Sequence, residues 1–289
     1  AFITSSTVTA GNLTIGNITV EASDSSTIKS VSGQINFSGA AGLGAAAAYN
    51  EISNTVKAFV DKDPLNEKSI LTAGNNIYIL SKSAAEIDTI CASGSVGLYF
   101  GGSATVVINM ISNTVMAYVD DADITAQNNV YILAQSVNST GSYGGSIGGG
   151  AVGIGAAVIV NLISNDTEAY IVNSTLEALG KSDALTVPLW DPEGKRVTPD
   201  QEVNGLIIIA YNKEAINVYS GSAGVGLAGV SGQVSTNIIK NTTKAYIVSS
   251  AINGDADKGK WVIVRAIQDT GIQIYAGSIA AGGAAVGGA

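Results

Sequence analysis

Acid–base, nucleophilic and metal chemistry draw on His, Cys or converging carboxylates, and this 289-residue chain is poor in all three. Histidine is absent and there is one cysteine, Cys91. Ser-His-Asp and Cys-His catalysis, His-metal ligation and histidine pH switching are thereby removed together. Carboxylates remain. They gather as Asp61 with Asp63, as Asp120, Asp121 and Asp123, and as Asp255 with Asp257. Neighbouring carboxylates suit a hard cation, so Asp120, Asp121 and Asp123 are the calcium candidates. None of these sets stands in an Asp-x-Asp-x-Asp-Gly loop or a Gly-Gly-x-Gly-x-Asp nonapeptide, and solvated turn positions are the commoner use of Asp. No cofactor is expected and no residue is assigned to catalysis. Cys91 reads as a small buried apolar residue.

Binding chemistry has better candidates. Phe59, Tyr118, Tyr170 and Tyr246, with Phe2 at their head, fall on equivalent positions of a repeated phrase. Aromatics on an exposed sheet face can contact sugars or a neighbouring fibre, although β-propensity and packing between adjacent strands would also place them there. The other candidate is Trp190, inside an irregular stretch described below.

The phrase that carries the aromatics is Asn109-Met-Ile-Ser-Asn-Thr-Val-Met-Ala-Tyr-Val119, and close copies begin at Asn50, Asn161 and Asn237. The shared alanine recurs at intervals of 59 (Ala58 to Ala117), 52 (Ala117 to Ala169) and 76 (Ala169 to Ala245). Recurrence on this scale indicates stacked units rather than one globular core. Twelve residues before the second Asn of each phrase stands a glycine: Gly42, Gly101, Gly153 and Gly229. Between phrases run an apolar stretch such as Asn129-Val-Tyr-Ile-Leu-Ala134, a Ser/Thr-rich stretch and a Gly/Ala-rich stretch. β-branched and aromatic residues dominate, and no helical spacing of apolar residues occurs.

The spacing predicts an all-β chain, a right-handed parallel β-helix or β-solenoid of 52–59-residue repeats, with a stacked β-hairpin array as the alternative. Coils of about 25 residues are usual in such folds, which would make two coils per repeat. Residues 1–289 form one continuous array, and both ends fall in mid-repeat, so a longer parent chain is expected. Residues 180–205 interrupt it. They hold three of the four prolines and Trp190, and read as a loop insertion that either carries recognition or is a passive excursion.

Within the phrase, Asn50, Ile52, Asn54, Val56, Ala58 and Val60 share one strand face, while Glu51, Ser53, Thr55, Lys57 and Phe59 share the other. The first set scarcely varies among the four copies and is assigned to the interior. Buried amides need partners, because each one left unpaired costs about 1–3 kcal/mol. Stacked copies supply them: Asn50, Asn109, Asn161 and Asn237 would form one ladder, and Asn54, Asn113, Asn165 and Asn241 a second, unless these residues turn the chain instead.

A formal charge of −9 argues against a phosphate-backbone partner, so no nucleic acid is expected. No apolar run reaches the ~18 residues of a membrane-spanning helix, and no membrane insertion is expected.

The recurrent Gly/Ala run, the phrase Asn-x-Ile-Ser-Asn-Thr-x-x-Ala-Tyr-Ile, then Ser-Thr-Leu/Val-x-Ala and a Gly-Asn-containing turn before Val-x-Ile-x-Ala, represented by Gly150 to Thr175 (with Asp166 at the Thr position) and by Ser6-Thr-Val-Thr-Ala-Gly-Asn-Leu-Thr-Ile15, resemble the long repeats of leukotoxin-type filamentous adhesins of anaerobic bacteria. The resemblance covers nearly the whole chain outside 180–205. It implies secretion, cell-surface display, an extracellular location and an elongated β-solenoid, and it brings no catalytic residues. The chain then reads as a structural or adhesive segment of a surface filament, a stiff rod contacting a host or surface glycan or protein receptor, or sister filaments by self-association. The alternatives are a glycan-active or a glycan-binding β-helix module.

Overall fold

The computed structural model describes residues 1–11, 15–190, 196–253 and 260–289, and the side chains of all of these except 189, 190 and 196–199. The described chain is a parallel β-solenoid with two long walls and one short side. The phrase wall stacks Phe2–Thr4, Ala41–Asp61, Phe100–Asp120, Val152–Val172, Ala228–Val248 and Ala284–Gly288. The facing wall stacks Ile18–Ser38, Ile77–Gly97, Val130–Gly149, Gly205–Val225 and Trp261–Ala281, and the short side stacks Thr7–Ala10, Ser69–Ala73, Ala122–Ala126, Thr175–Ala178 and Ala251–Ile252. Every pairing within these sheets is parallel, which excludes the hairpin array.

One repeat makes one coil, not two. Asn50 pairs with Asn109 and Asn109 with Asn161, so each phrase lies directly on the next copy of itself. The expectation of two coils failed because four short runs fuse in pairs. The Gly/Ala run and the phrase form one strand of 21 residues, and the apolar and Ser/Thr-rich runs form another. The phrase asparagines stay in extended backbone. The left-handed non-glycine residues among those described fall elsewhere, at Ser5, Asp121, Asn173, Ser249 and Asn253, with φ of 43°, 46°, 49°, 49° and 49°. At about 3.3 Å per residue each long wall is about 70 Å wide. The tube is therefore flat.

The short side closes one edge of this flat tube, and a two-residue corner such as Gly150–Ala151 closes the other. The two edges differ inside. Near the short side the interior is a dry stack of Ala58, Val60, Leu71, Ile77, Val115, Val119, Ile124, Ile132, Ile171 and Leu176. Toward the corner the walls approach so closely that only small inward side chains fit, and at some positions none. A Cβ on Gly101 would fall on the Gly149 carbonyl oxygen, and one on Gly153 on that of Val225. Those are the glycines that precede each phrase.

The period changes at three places, one of them a single residue at the corner, where the offset of 53 between Val96 and Gly149 becomes 52 between Phe100 and Val152. Val60 pairs with Val119 at a separation of 59 and Ser69 with Ala122 at 53, so six extra residues (59 − 53) lie in the loop after Asp61. The longest interval, 76, adds 24 (76 − 52) within 180–205. These residues are not a bare loop: Leu185–Trp190 and Arg196–Val203 pair antiparallel as a hairpin, with an irregularity between Val187 and Leu189. Val187 and Val203 are buried against Ile207, Ile209, Ile263 and Ile267, with Leu185, Tyr131, Leu133 and Tyr211 at the margin. The hairpin thus covers apolar side chains that the facing wall points away from the core.

Candidate functional site

Three polar ladders run along the axis. In the first, Asn50 Nδ2 donates to Asn109 Oδ1 (2.9 Å), Asn109 Nδ2 to Asn161 Oδ1 (3.1 Å) and Asn161 Nδ2 to Asn237 Oδ1 (2.8 Å). The facing wall completes them: Thr89 Oγ1 donates to Asn109 Oδ1 (2.8 Å) and Ser142 Oγ to Asn161 Oδ1 (2.7 Å). In the second, each side-chain oxygen accepts from the backbone of the preceding coil: Asn54 N donates to Asn113 Oδ1 (3.1 Å), Asn113 N to Asn165 Oδ1 (3.0 Å) and Asn165 N to Asn241 Oδ1 (3.1 Å). The Nδ2 groups then cross the tube, from Asn54 to Asp24 (2.6 Å), from Asn113 to Asn138 (2.9 Å) and from Asn165 to Glu214 (3.1 Å). Glu214 is buried inside the tube; burial pushes its carboxyl up to about 7, against the opposing pull of the Asn165, Asn241 and Asn138 amides.

The third ladder has no counterpart among the sequence expectations. Asn76 N donates to Asn17 Oδ1 (2.9 Å), Asn129 N to Asn76 Oδ1 (3.0 Å) and Gly205 N to Asn129 Oδ1 (2.7 Å). Its sequence signal is the Asn that precedes several of the apolar runs.

The aromatic row forms as one stack outside the tube. Ring centroids from Phe2 through Phe59, Tyr118, Tyr170 and Tyr246 are 5.3, 4.8, 4.8 and 4.9 Å apart. From Phe59 onward the interplanar angles are 1°, 5° and 3°, so each ring covers the next. Sugar stacking uses ring faces, and along this row the faces are turned toward one another; the Tyr246 hydroxyl donates to Glu168 (3.3 Å). Partial burial raises the Tyr118 and Tyr170 phenols above their ordinary range, aided at Tyr118 by Asp61 and Asp120 and at Tyr170 by the flanking tyrosines. A second row, Tyr143, Tyr219 and Tyr275, stacks on the facing wall at 5.2 and 5.0 Å. The sequence aligns Tyr219 with Tyr275 in the like runs Ile216-Asn-Val-Tyr219 and Ile272-Gln-Ile-Tyr275, and the register adds Tyr143. Trp190 lies in the hairpin strand, and its side chain is outside the described residues.

The carboxylates do not converge. Asp121 faces Lys62 at 3.6 Å, Asp123 faces Lys68 at 3.5 Å, and Asp120 accepts from Asn173 at 3.5 Å. Burial, then Asp61 and Asp121, raise the Asp120 carboxyl above the usual range. Asp61 receives the Lys62 amide and Asp63 the Leu65 amide, the ordinary work of turn aspartates. Asp255 and Asp257 lie outside the described residues. Among the described residues no cluster of three or more His, Cys, Asp or Glu could hold a metal ion. Cys91 is buried inside the tube, and burial raises its thiol.

No family model, curated protein or solved structure matches this chain.

Proposed function

We propose that the chain is a structural and adhesive segment of an extracellular surface filament, a stiff rod that presents the same outer contacts coil after coil to a host or surface receptor or to sister filaments. The observation that carries this reading is the register. Asn50, Asn109, Asn161 and Asn237 bond to one another along the axis through four successive coils, so interior and exterior are both written once and repeated. Such a body lengthens by about 5 Å for each added coil, the spacing of neighbouring strands, with no change in cross-section. The resemblance of the phrase to leukotoxin-type filamentous adhesins points the same way. The dispersal of Asp120, Asp121 and Asp123 onto lysines and an amide favours a non-enzymatic role.

Electron microscopy of the native source material is the test. Thin unbranched fibres labelled by an antibody raised against the chain are expected. A compact labelled particle would overturn the proposal.

A further inference from the structure

The flat tube reverses polarity across its width. No Asp, Glu, Lys or Arg occurs in 30–50, 89–119, 124–165, 215–239 or 270–289. The register brings these stretches together, and their shared part is the corner edge with the adjoining half of each long wall. There the outward residues are apolar: Leu43, Val106, Ile147, Val158, Val230 and Ile279, among others, are exposed. Nearest the corner the inward residues are Ser93, Ser95, Ser103, Thr105, Ser146 and Ser222, all buried, with Ala46 and Ala157 in register with Thr105 and the apolar Cys91, Val107, Ile159 and Val218 next along the walls. Several of their hydroxyls turn to groups inside the tube, as in Ser93 to Ser103 at 2.6 Å and Thr105 to the Gly145 carbonyl at 2.7 Å. A body surrounded by water has the opposite arrangement, and a contiguous exposed apolar surface of this kind marks an interaction site.

We infer that this charge-free edge is a lipid-binding surface that enters the hydrocarbon of a bilayer. Three features favour lipid over a second copy of the chain. The first is extent. Each charge-free half-wall is about 25 Å along the strands and about 20 Å across five of them, on the order of 500 Å². A second copy on one wall would bury a total of about 1,000 Å², at the low end for specific association, and would leave the other wall and the corner wet. Acyl chains cover both walls and the corner at once.

The second feature is the corner backbone, which in hydrocarbon has no water to bond. It is tied from coil to coil: Tyr99 N donates to Ala40 O (2.9 Å), Ala151 N to Leu98 O (3.2 Å), Val152 N to Tyr99 O (2.9 Å) and Ala228 N to Ala151 O (3.0 Å). The exposed corner side chains are Leu98, Tyr99 and Leu227. The third is the aromatic boundary. Tyr49 on the phrase wall, and Tyr143, Tyr219 and Tyr275 on the facing wall, stand where the apolar surface ends, the depth at which tyrosine collects at a lipid–water interface. From these rows to the corner is about 20–27 Å, less than the ~30 Å of a hydrocarbon core. That no helix of the described residues is long and apolar enough to cross a membrane has no bearing on entry by strands.

The inference supplies the partner for the rod proposed above and rests on that reading only for its biological setting. With a net charge of −9, binding is expected on zwitterionic lipid and without dependence on salt. The test is flotation of the chain with phosphatidylcholine vesicles on a sucrose gradient at about 0.1 and about 0.5 M salt, between which charge screening becomes much stronger. Co-flotation at both salts is expected. The double variant Val106→Asp with Val158→Asp, folded by circular dichroism, should lose at least about tenfold in the floated fraction, and Thr114→Asp, outward on the same wall beyond the edge, should not. A polarity-sensitive fluorophore on Val230→Cys in a Cys91→Ala background gives a readout that needs no charge inserted; it should shift to the blue with vesicles, while the same label at Thr114→Cys should not. Absence of flotation by the parent chain, equal flotation by the double variant, or assembly into oligomers with no blue shift would each overturn the inference. Fibres in the microscope with no flotation would remove this inference and leave the rod.

Discussion

Asn109 Nδ2 donates to Asn161 Oδ1 at 3.1 Å while Asn109 Oδ1 accepts from Asn50 at 2.9 Å and from Thr89 at 2.8 Å. The side chain therefore joins three coils and both walls inside a tube from which water is excluded. Asn109→Ala strands one N–H of Asn50 and the Thr89 hydroxyl, while Asn161 Oδ1 keeps the Ser142 hydroxyl at 2.7 Å. At about 1–3 kcal/mol for each buried group left unpaired, the variant should lose about 3 kcal/mol in urea unfolding. Asn50→Ala combined with Asn109→Ala should cost less than the sum of the two single changes, because the second removes a group that the first has already orphaned. Additive costs would show that the ladder carries no coupling.

The face of each phrase residue was legible in sequence because the strand period is 2, and Asn50, Ile52, Val56, Ala58 and Val60 are indeed buried. The number of coils was not legible. At the short-side edge the chain turns where Asp121 or Asn173 takes a left-handed φ, and nothing in local composition separates those residues from Asn109, which stays extended. The reversed polarity near the corner was hidden for a different reason. Gly and Ala occupy both faces there, so Gly153 inside and Ala156 outside give alternation no contrast, and only the register shows Val158 and Val106 side by side in the open.

Glu214 makes stability depend on pH. Its carboxyl is raised from 4.5 to about 7 by burial, so the folded state holds the proton more tightly than the unfolded chain. The contribution is fully present below about pH 4.5 and is lost as pH rises through about 7, a change on the order of 3 kcal/mol. Glu214→Gln keeps the shape and the neutral form at every pH. The variant should match the parent near pH 4.5 and exceed it by a similar amount at pH 8, measured by urea unfolding at both. A parent advantage at pH 8 would mean that the carboxylate is satisfied inside the tube.

Two glycines of one coil should respond oppositely to a methyl group. At Gly153 a Cβ meets the Val225 carbonyl and lies 2.6 Å from the Gly148 oxygen, both backbone atoms of packed strands that cannot move aside. At Gly145 the nearest atom is the Gly221 oxygen at 3.8 Å, an ordinary contact. Gly153→Ala should cost about 2–3 kcal/mol or more by overpacking, whereas Gly145→Ala should be neutral or stabilise by about 0.5 kcal/mol through the unfolded chain. Thermal midpoints of the two variants compare them directly. Similar shifts would contradict the close approach of the walls at the corner.

The hairpin can be removed without breaking the register, because deleting 181–204 returns the interval between Ala169 and Ala245 from 76 to the 52 that separates Ala117 from Ala169. Gly180 N already bonds to Asn128 O at 2.7 Å, and Gly205 N to Asn129 Oδ1 at 2.7 Å, so the two ends meet neighbouring positions of the preceding coil. The shortened chain should fold with its parallel sheets intact. Its facing wall should change, since Ile207, Ile209, Ile263 and Ile267 lose Val187 and Val203 as cover. The Tyr131 phenol, pushed up to about 12 by burial, should then titrate closer to its ordinary value of 10.0. A carbon-13 label on the tyrosine ring follows that titration by NMR. A midpoint that stays near 12 after the deletion would place the burial of Tyr131 in the wall itself and leave the hairpin no covering role.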